Sequence, residues 1–200
     1  MTFNNEMDRR AFIRNAALIG VGGTLAVTMR TDPFAFAQGS TSDVDILNYA
    51  LTLEYLEAEF YTQGVSGNVL SGRELELVTP IRDHEQEHVA AITQTLNDLG
   101  AQPVEKPKFT FPDGTFTDRA TFLDTASTFE ELGVDAYHGQ VPNIQSPEIL
   151  AAAASIAGVE SRHAAILADL TGGNPFPAPV EDSKPMQAVL QQAMQFIQGG

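Results

Sequence analysis

The sequence predicts an all-α protein: a four-helix bundle of two antiparallel hairpins joined by a long crossover, with a short C-terminal helix after it. Three observations carry this prediction. Apolar residues recur at helical spacing in four long segments. Those segments begin at Ser, Asp or Pro and end at Gly, the residues that start and stop helices. The second and third segments are separated by a stretch rich in Pro, too long and too interrupted for a tight turn.

Residues 1–37 read as a removable targeting segment. Arg9, Arg10 and Arg14 open it, an apolar run from about Ala16 to Val27 follows, and Ala35-Phe36-Ala37 supplies a small-x-small cleavage site. The run is too short to span a bilayer. The block Asp8-Arg9-Arg10-Ala11-Phe12-Ile13-Arg14 resembles the twin-arginine (Tat) export signal. Asp8, Ile13 and Arg14 replace its usual hydroxyl residue, Leu and Lys. The resemblance implies export by the Tat machinery, cleavage after Ala37 and a periplasmic or extracellular protein. The remainder divides into a bundle over 38–175 and a spacer with a C-terminal helix over 176–200.

The first helix is expected from Val44 to about Gln63, with Leu47, Ala50, Leu51, Ala58 and Tyr61 at helical spacing. Gly64 and Gly67 are expected to end it. Ser71 and Glu74 form a capping-box pattern for the second helix, which runs to about Leu99 before Gly100. Pro80 predicts a kink there, or a restart with Thr79 as cap. The stretch 100–117 holds Pro103, Pro107, Pro112 and Gly114, with Phe109, Phe111 and Phe116 expected to cover the bundle. The third helix is placed over Asp118–Tyr137. Ser146 caps the fourth, with Pro147 at its first position and Glu148 behind it, as far as about Leu170. Pro175, Pro177 and Pro179 then make an extended spacer, and Lys184–Ile197 is expected to form the last helix.

Composition narrows the function. The chain has 11 Lys and Arg against 26 Asp and Glu, for a formal net charge of −15. Such a field repels nucleic acid and anionic membranes and gathers cations. There is no Cys, which excludes thiolate ligands, disulfides and a lipid anchor on Cys. A metal held by this chain is held by oxygen and imidazole.

Two of the four histidines carry Glu three residues earlier: Glu85/His88 and Glu160/His163. On a helix, positions i and i+3 share a face, so a carboxylate and an imidazole can reach one ion. The other two long helices carry Glu54/Tyr61 and Glu130/Tyr137, each pair about two turns apart. Glu54 to Glu130 and Tyr61 to Tyr137 are both offsets of 76, while Glu85 to Glu160 and His88 to His163 are both 75. The chain thus reads as one hairpin used twice. Glu57 is an alternative to Glu54, and Glu131 to Glu130, because each lies close by on the helix. Tyr61 and Tyr137 are candidates to orient a ligand. His84, one turn before His88, is expected at the surface, with the entrance to the site as the alternative, and His138 near a helix end, where a cation suits the dipole.

The blocks Leu51–Tyr61, Asp83–His88, Glu130–Tyr137 and Gly158–His163 together resemble the ferritin-like superfamily, and within it the exported ferritin-like proteins of the desiccation-related type. The resemblance implies the ligand set known from di-iron and di-manganese bundles. Glu54 and Glu130 would be terminal ligands, Glu85 and Glu160 bridges, and His88 and His163 one cap each. Two iron or manganese ions are expected, with zinc as a further ion this hard O/N set accepts. Redox chemistry on dioxygen, peroxide or Fe(II) follows, by a ferroxidase-like or catalase-like oxidoreductase. The alternative from another class is a non-catalytic exported stress or desiccation-related binding module using the bundle as scaffold. Expected partners are metal ions, a small oxidant and the Tat machinery, with no nucleic acid and no membrane span in the mature form; a homodimer is compatible with such a bundle.

Overall fold

The structure is a computed structural model and describes residues 41–198. The targeting segment, its twin-arginine block and its cleavage site lie outside the described residues. Those described are helical, with five α-helices and no strand longer than a single bridge. None of the helices is long and apolar enough to cross a membrane.

Helix α1 spans Asp43–Ser66. Ser42 and Asp45 close a capping box at its start, satisfying amides that have no partner inside the helix. The Asp43 carboxylate also accepts from the Gln145 and Ser146 amides at 2.8 Å each, tying this end to the entrance of the fourth helix. Gly64 does not end α1, contrary to expectation. It lies buried within the helix, where a Cβ would come within 2.0 Å of the Phe122 ring. It is glycine because another helix packs there, and Gly67 is the true C-cap.

Helix α2 spans Gly72–Asp98. Ser71 sits at its N-cap, but the expected capping box is not formed. The Glu74 carboxylate is instead drawn to the Arg119 guanidinium. Nor does α2 restart at Pro80. The Thr79 hydroxyl donates to the Leu75 carbonyl at 2.6 Å, an interior helical contact. Pro80 and Glu76 are both exposed, so the helical hydrogen bond that proline removes is lost on the solvent face of α2.

Helix α3, Arg119–Gln140, is capped by Asp118, which accepts from the Thr121 amide at 2.8 Å. Helix α4, Pro147–Thr171, has Ser146 as cap and Pro147 in its first turn, and closes on Gly172 with φ +79°. Helix α5 is only Met186–Ala193, followed by a 3-10 turn at Met194–Phe196. The expected helix to Ile197 is cut short because Ile197 is extended and bridges antiparallel to Phe109 in the crossover. The Thr110 amide donates to the Phe196 carbonyl at 2.8 Å, and the Gln198 amide to the Lys108 carbonyl at 2.9 Å.

Helices α1 and α2 form one hairpin, α3 and α4 the other; α1 meets α3 and α2 meets α4. The core is two apolar clusters. One gathers Phe60, Phe122 and Phe129 toward the end of α1, with crossover residues Phe109, Phe111 and Phe116 packed on it as expected. The other gathers Leu51, Leu96 and Ile156 toward the start of α1. Between them lies a layer of buried acids and imidazoles.

Candidate metal centre

Helical phase carries each expected ligand into the interior. Glu54, Glu85, Glu130 and Glu160 are all at most 1% exposed, and His88 and His163 are buried. The alternatives separate. Glu131 is exposed on the outer face of α3, so Glu130 takes the inner position. Glu57 is buried beside the site, but two groups of ligand atoms form without it: Glu54, Glu85, His88 and Glu160, and Glu85, Glu130, Glu160 and His163.

The nitrogen–oxygen distances within these groups run from 3.0 to 3.9 Å. His88 Nδ1 lies 3.2 Å from Glu54 Oε2, 3.1 Å from Glu85 Oε2 and 3.1 Å from Glu160 Oε1. His163 Nδ1 lies 3.0 Å from Glu85 Oε1, 3.2 Å from Glu130 Oε2 and 3.9 Å from Glu160 Oε2. Ligand atoms bound at about 2.1 Å in near-octahedral geometry stand about 3 Å apart. Glu85 and Glu160 each turn one oxygen to each imidazole, the arrangement of a bridge.

The donor set fits a pair of cations. Glu160 Oε2 is buried with no hydrogen-bond partner, its nearest imidazole nitrogen 3.9 Å away, a costly arrangement for a carboxylate unless a cation meets it. Space is kept open as well: a Cβ on Gly133 would stand 3.2 Å from Glu160 Oε2 and 3.2 Å from Glu57 Oε1. Four carboxylates balance two divalent ions.

Without cations the same groups compete for protons. Burial pushes the Glu85 carboxyl up to about 7 against the pull of His163 and His88. Burial, then the Glu85 charge, raises Glu160 well above the usual range. Burial and the Glu160 and Glu130 charges do the same to Glu57. Burial disfavours the His163 cation, but Glu130 and Glu85 outweigh it and raise the imidazole to about 10. Burial likewise opposes ionised Glu54, yet the His88 charge and hydrogen bonds prevail and hold it low.

Both tyrosines reach the site, in an arrangement the spacing did not reveal. Tyr61 donates to Glu130 Oε1 at 2.5 Å, and Tyr137 donates to Glu54 Oε1. Each hydroxyl holds the glutamate of the opposite hairpin, so the pairs cross. His84 departs from expectation. It is half-buried, with Nδ1 2.9 Å from His163 Nε2 and the two rings stacked 5.2 Å apart. Its only sequence signal was its place one turn before His88. His138 is structural as expected, its Nδ1 2.9 Å from the Val134 carbonyl.

Two antiparallel hairpins that bury a carboxylate–imidazole set between them define the carboxylate-bundle class of helical proteins. The family model of the ferritin-like domain matches residues 42–173, more than half of the chain. The chain therefore belongs to the ferritin-like domain family. No curated protein matches it.

Proposed function

We propose that this chain is an exported protein of the desiccation-related type that holds two iron or manganese ions and turns over a small oxidant or Fe(II). The observation that carries this reading is the sharing of Glu85 and Glu160 between two buried ligand groups. Bound iron or manganese would supply one-electron redox chemistry; zinc would fill the same ligands without it. Glu54 and Glu130 would close the outer ends of the site, each with one oxygen held by a tyrosine so that the other faces the ion. The two apolar clusters would exclude bulk water from the acidic layer. The twin-arginine resemblance supports export, since that route carries folded proteins with cofactors in place.

Metal analysis of the full-length protein after gentle purification and reloading tests the reading. Two ions per chain are expected. Fewer than one iron, manganese or zinc per chain sinks it and leaves the bundle as a binding scaffold. Assays of Fe(II) oxidation and of peroxide loss then separate the two activities.

His84 makes the two positions unequal. With His163 Nδ1 on an ion, the ring proton sits on Nε2 and is donated to His84 Nδ1, which fixes the ring. The equivalent residue in the other half, 75 positions on, is Val159, which offers His88 no such partner. His84→Ala is expected to weaken one ion of the pair by about 10–100-fold. His84→Gln, which keeps an acceptor, restores much of it. Calorimetric titration with Mn(II) reads both; two unchanged binding steps in His84→Ala would remove His84 from this role.

A further inference from the structure

The two halves of the bundle differ in how the space beside the ligands is filled. A cavity of about 40 Å³ lies at the start of α1, lined by Leu53, Ala136, Tyr137, Ile92 and Ile156 among others. Its walls are almost wholly hydrocarbon. It adjoins one half of the site: Leu53 precedes Glu54, Ile92 is one turn after His88, and Ile156 is one turn before Glu160. Tyr137 forms part of the wall and donates to Glu54.

The internal repeat shows what occupies this space in the other half. At the offset of 76, Ile46 corresponds to Phe122, Leu53 to Phe129, and Ala136 to Phe60. Those three phenylalanines pack on one another, Phe60 stacked on Phe122 at 4.7 Å and edge-on to Phe129 at 5.0 Å. All three are at most 1% exposed. Where the Glu130/His163 half has three phenylalanines packed on one another, the Glu54/His88 half has Ile46, Leu53 and Ala136, and these line the cavity together with the Tyr49 ring.

We propose that this cavity binds a small neutral apolar molecule of the size of dioxygen, and that it serves the Glu54/His88 half of the site. The volume is a few times the roughly 10–15 Å³ that one water requires, and its hydrocarbon walls offer water almost no hydrogen-bond partner. Hydrogen peroxide needs hydrogen-bond partners that hydrocarbon walls do not supply. Dioxygen needs none. Delivery to the ions rests on the function proposed above; binding in the cavity does not.

Xenon is the probe, since it reports apolar cavities whether or not metal is bound. Crystals of the full-length protein pressurised with xenon are expected to show one site bounded by Tyr137, Ile92 and Ile156. Ala136→Phe and Leu53→Phe, which restore the residues of the other half, are expected to abolish it while helicity and metal content stay unchanged. Either variant suffices if the other fails to fold. No xenon in the native protein, or xenon retained in a folded filled variant, overturns the binding site. Dioxygen uptake by the Fe(II)-loaded protein is expected to slow several-fold in the filled variants. Unchanged uptake with xenon lost overturns delivery to the ions. Absence of metal in all variants would instead fail the functional reading, with the xenon result still standing.

Discussion

Glu160→Gln is expected to abolish binding of both ions while changing the stability of the metal-free chain little. Glu160 belongs to both ligand groups, with Oε1 3.1 Å from His88 Nδ1 and Oε2 3.9 Å from His163 Nδ1. An amide has one weak donor oxygen and cannot bridge two cations, so both positions fail together. Replacing Glu54, which belongs to one group only, is expected to remove one ion. The metal-free chain changes little because burial and the Glu85 charge already raise the Glu160 carboxyl well above the usual range, so the neutral amide replaces a group that takes up a proton when no cation is present. Metal content and thermal unfolding of metal-free protein measure the two effects. Two ions retained in Glu160→Gln would show that Glu160 is not the bridge.

The candidate ligand cluster was legible in the sequence because helical geometry alone places Glu85 with His88 and Glu160 with His163. Burial needs only the period of 3.6 residues and a neighbouring apolar face. The repeat offset added Glu54 and Glu130 by placing them at one register in two copies of a hairpin. What stayed hidden depends on how one helix slides against another. Seven residues from Glu54 to Tyr61 establish a shared face, but the hydroxyl meets Glu130 across the bundle. His84 has no periodic signature that separates a surface histidine from one facing His163 79 positions away. The Ser71/Glu74 capping box was lost to Arg119, a competitor 45 residues distant from Glu74. Gly64 looked like a helix stop because nothing local announces that Phe122 needs its space. The cavity beside Tyr137 is an intermediate case. Its cause, Phe60 against Ala136 at the repeat offset, is written in the chain, yet only packing shows that the missing ring leaves a void.

The metal-free protein is expected to lose stability as pH rises from about 5 to about 9, while the metal-loaded protein gains relative to it. Glu85 titrates near 4.5 when unfolded and is pushed up to about 7 by burial in the native chain. The native state therefore binds the extra proton between these values, and its contribution fades as pH climbs through about 7. His163 follows the same rule from 6.5 unfolded to about 10 native, its cation held by Glu130 and Glu85 despite burial. Its contribution is complete below the unfolded value and is lost as pH rises toward the native one. Glu54 shifts the other way, so its contribution is lost only in acid and does not offset the decline in this window. The summed effect is on the order of a few kcal/mol, or about 10 °C in Tm. Cations reverse the balance, because they bind deprotonated ligands and release these protons, so that affinity grows with pH. Thermal unfolding with chelator and with excess Mn(II), at about pH 5.5 and about pH 9, should show a gap that widens with pH. A metal-free Tm that holds steady or rises across this range would mean that the buried glutamates and imidazoles do not share protons as their geometry requires, and the charge balance on which a pair of divalent ions depends would fail with it.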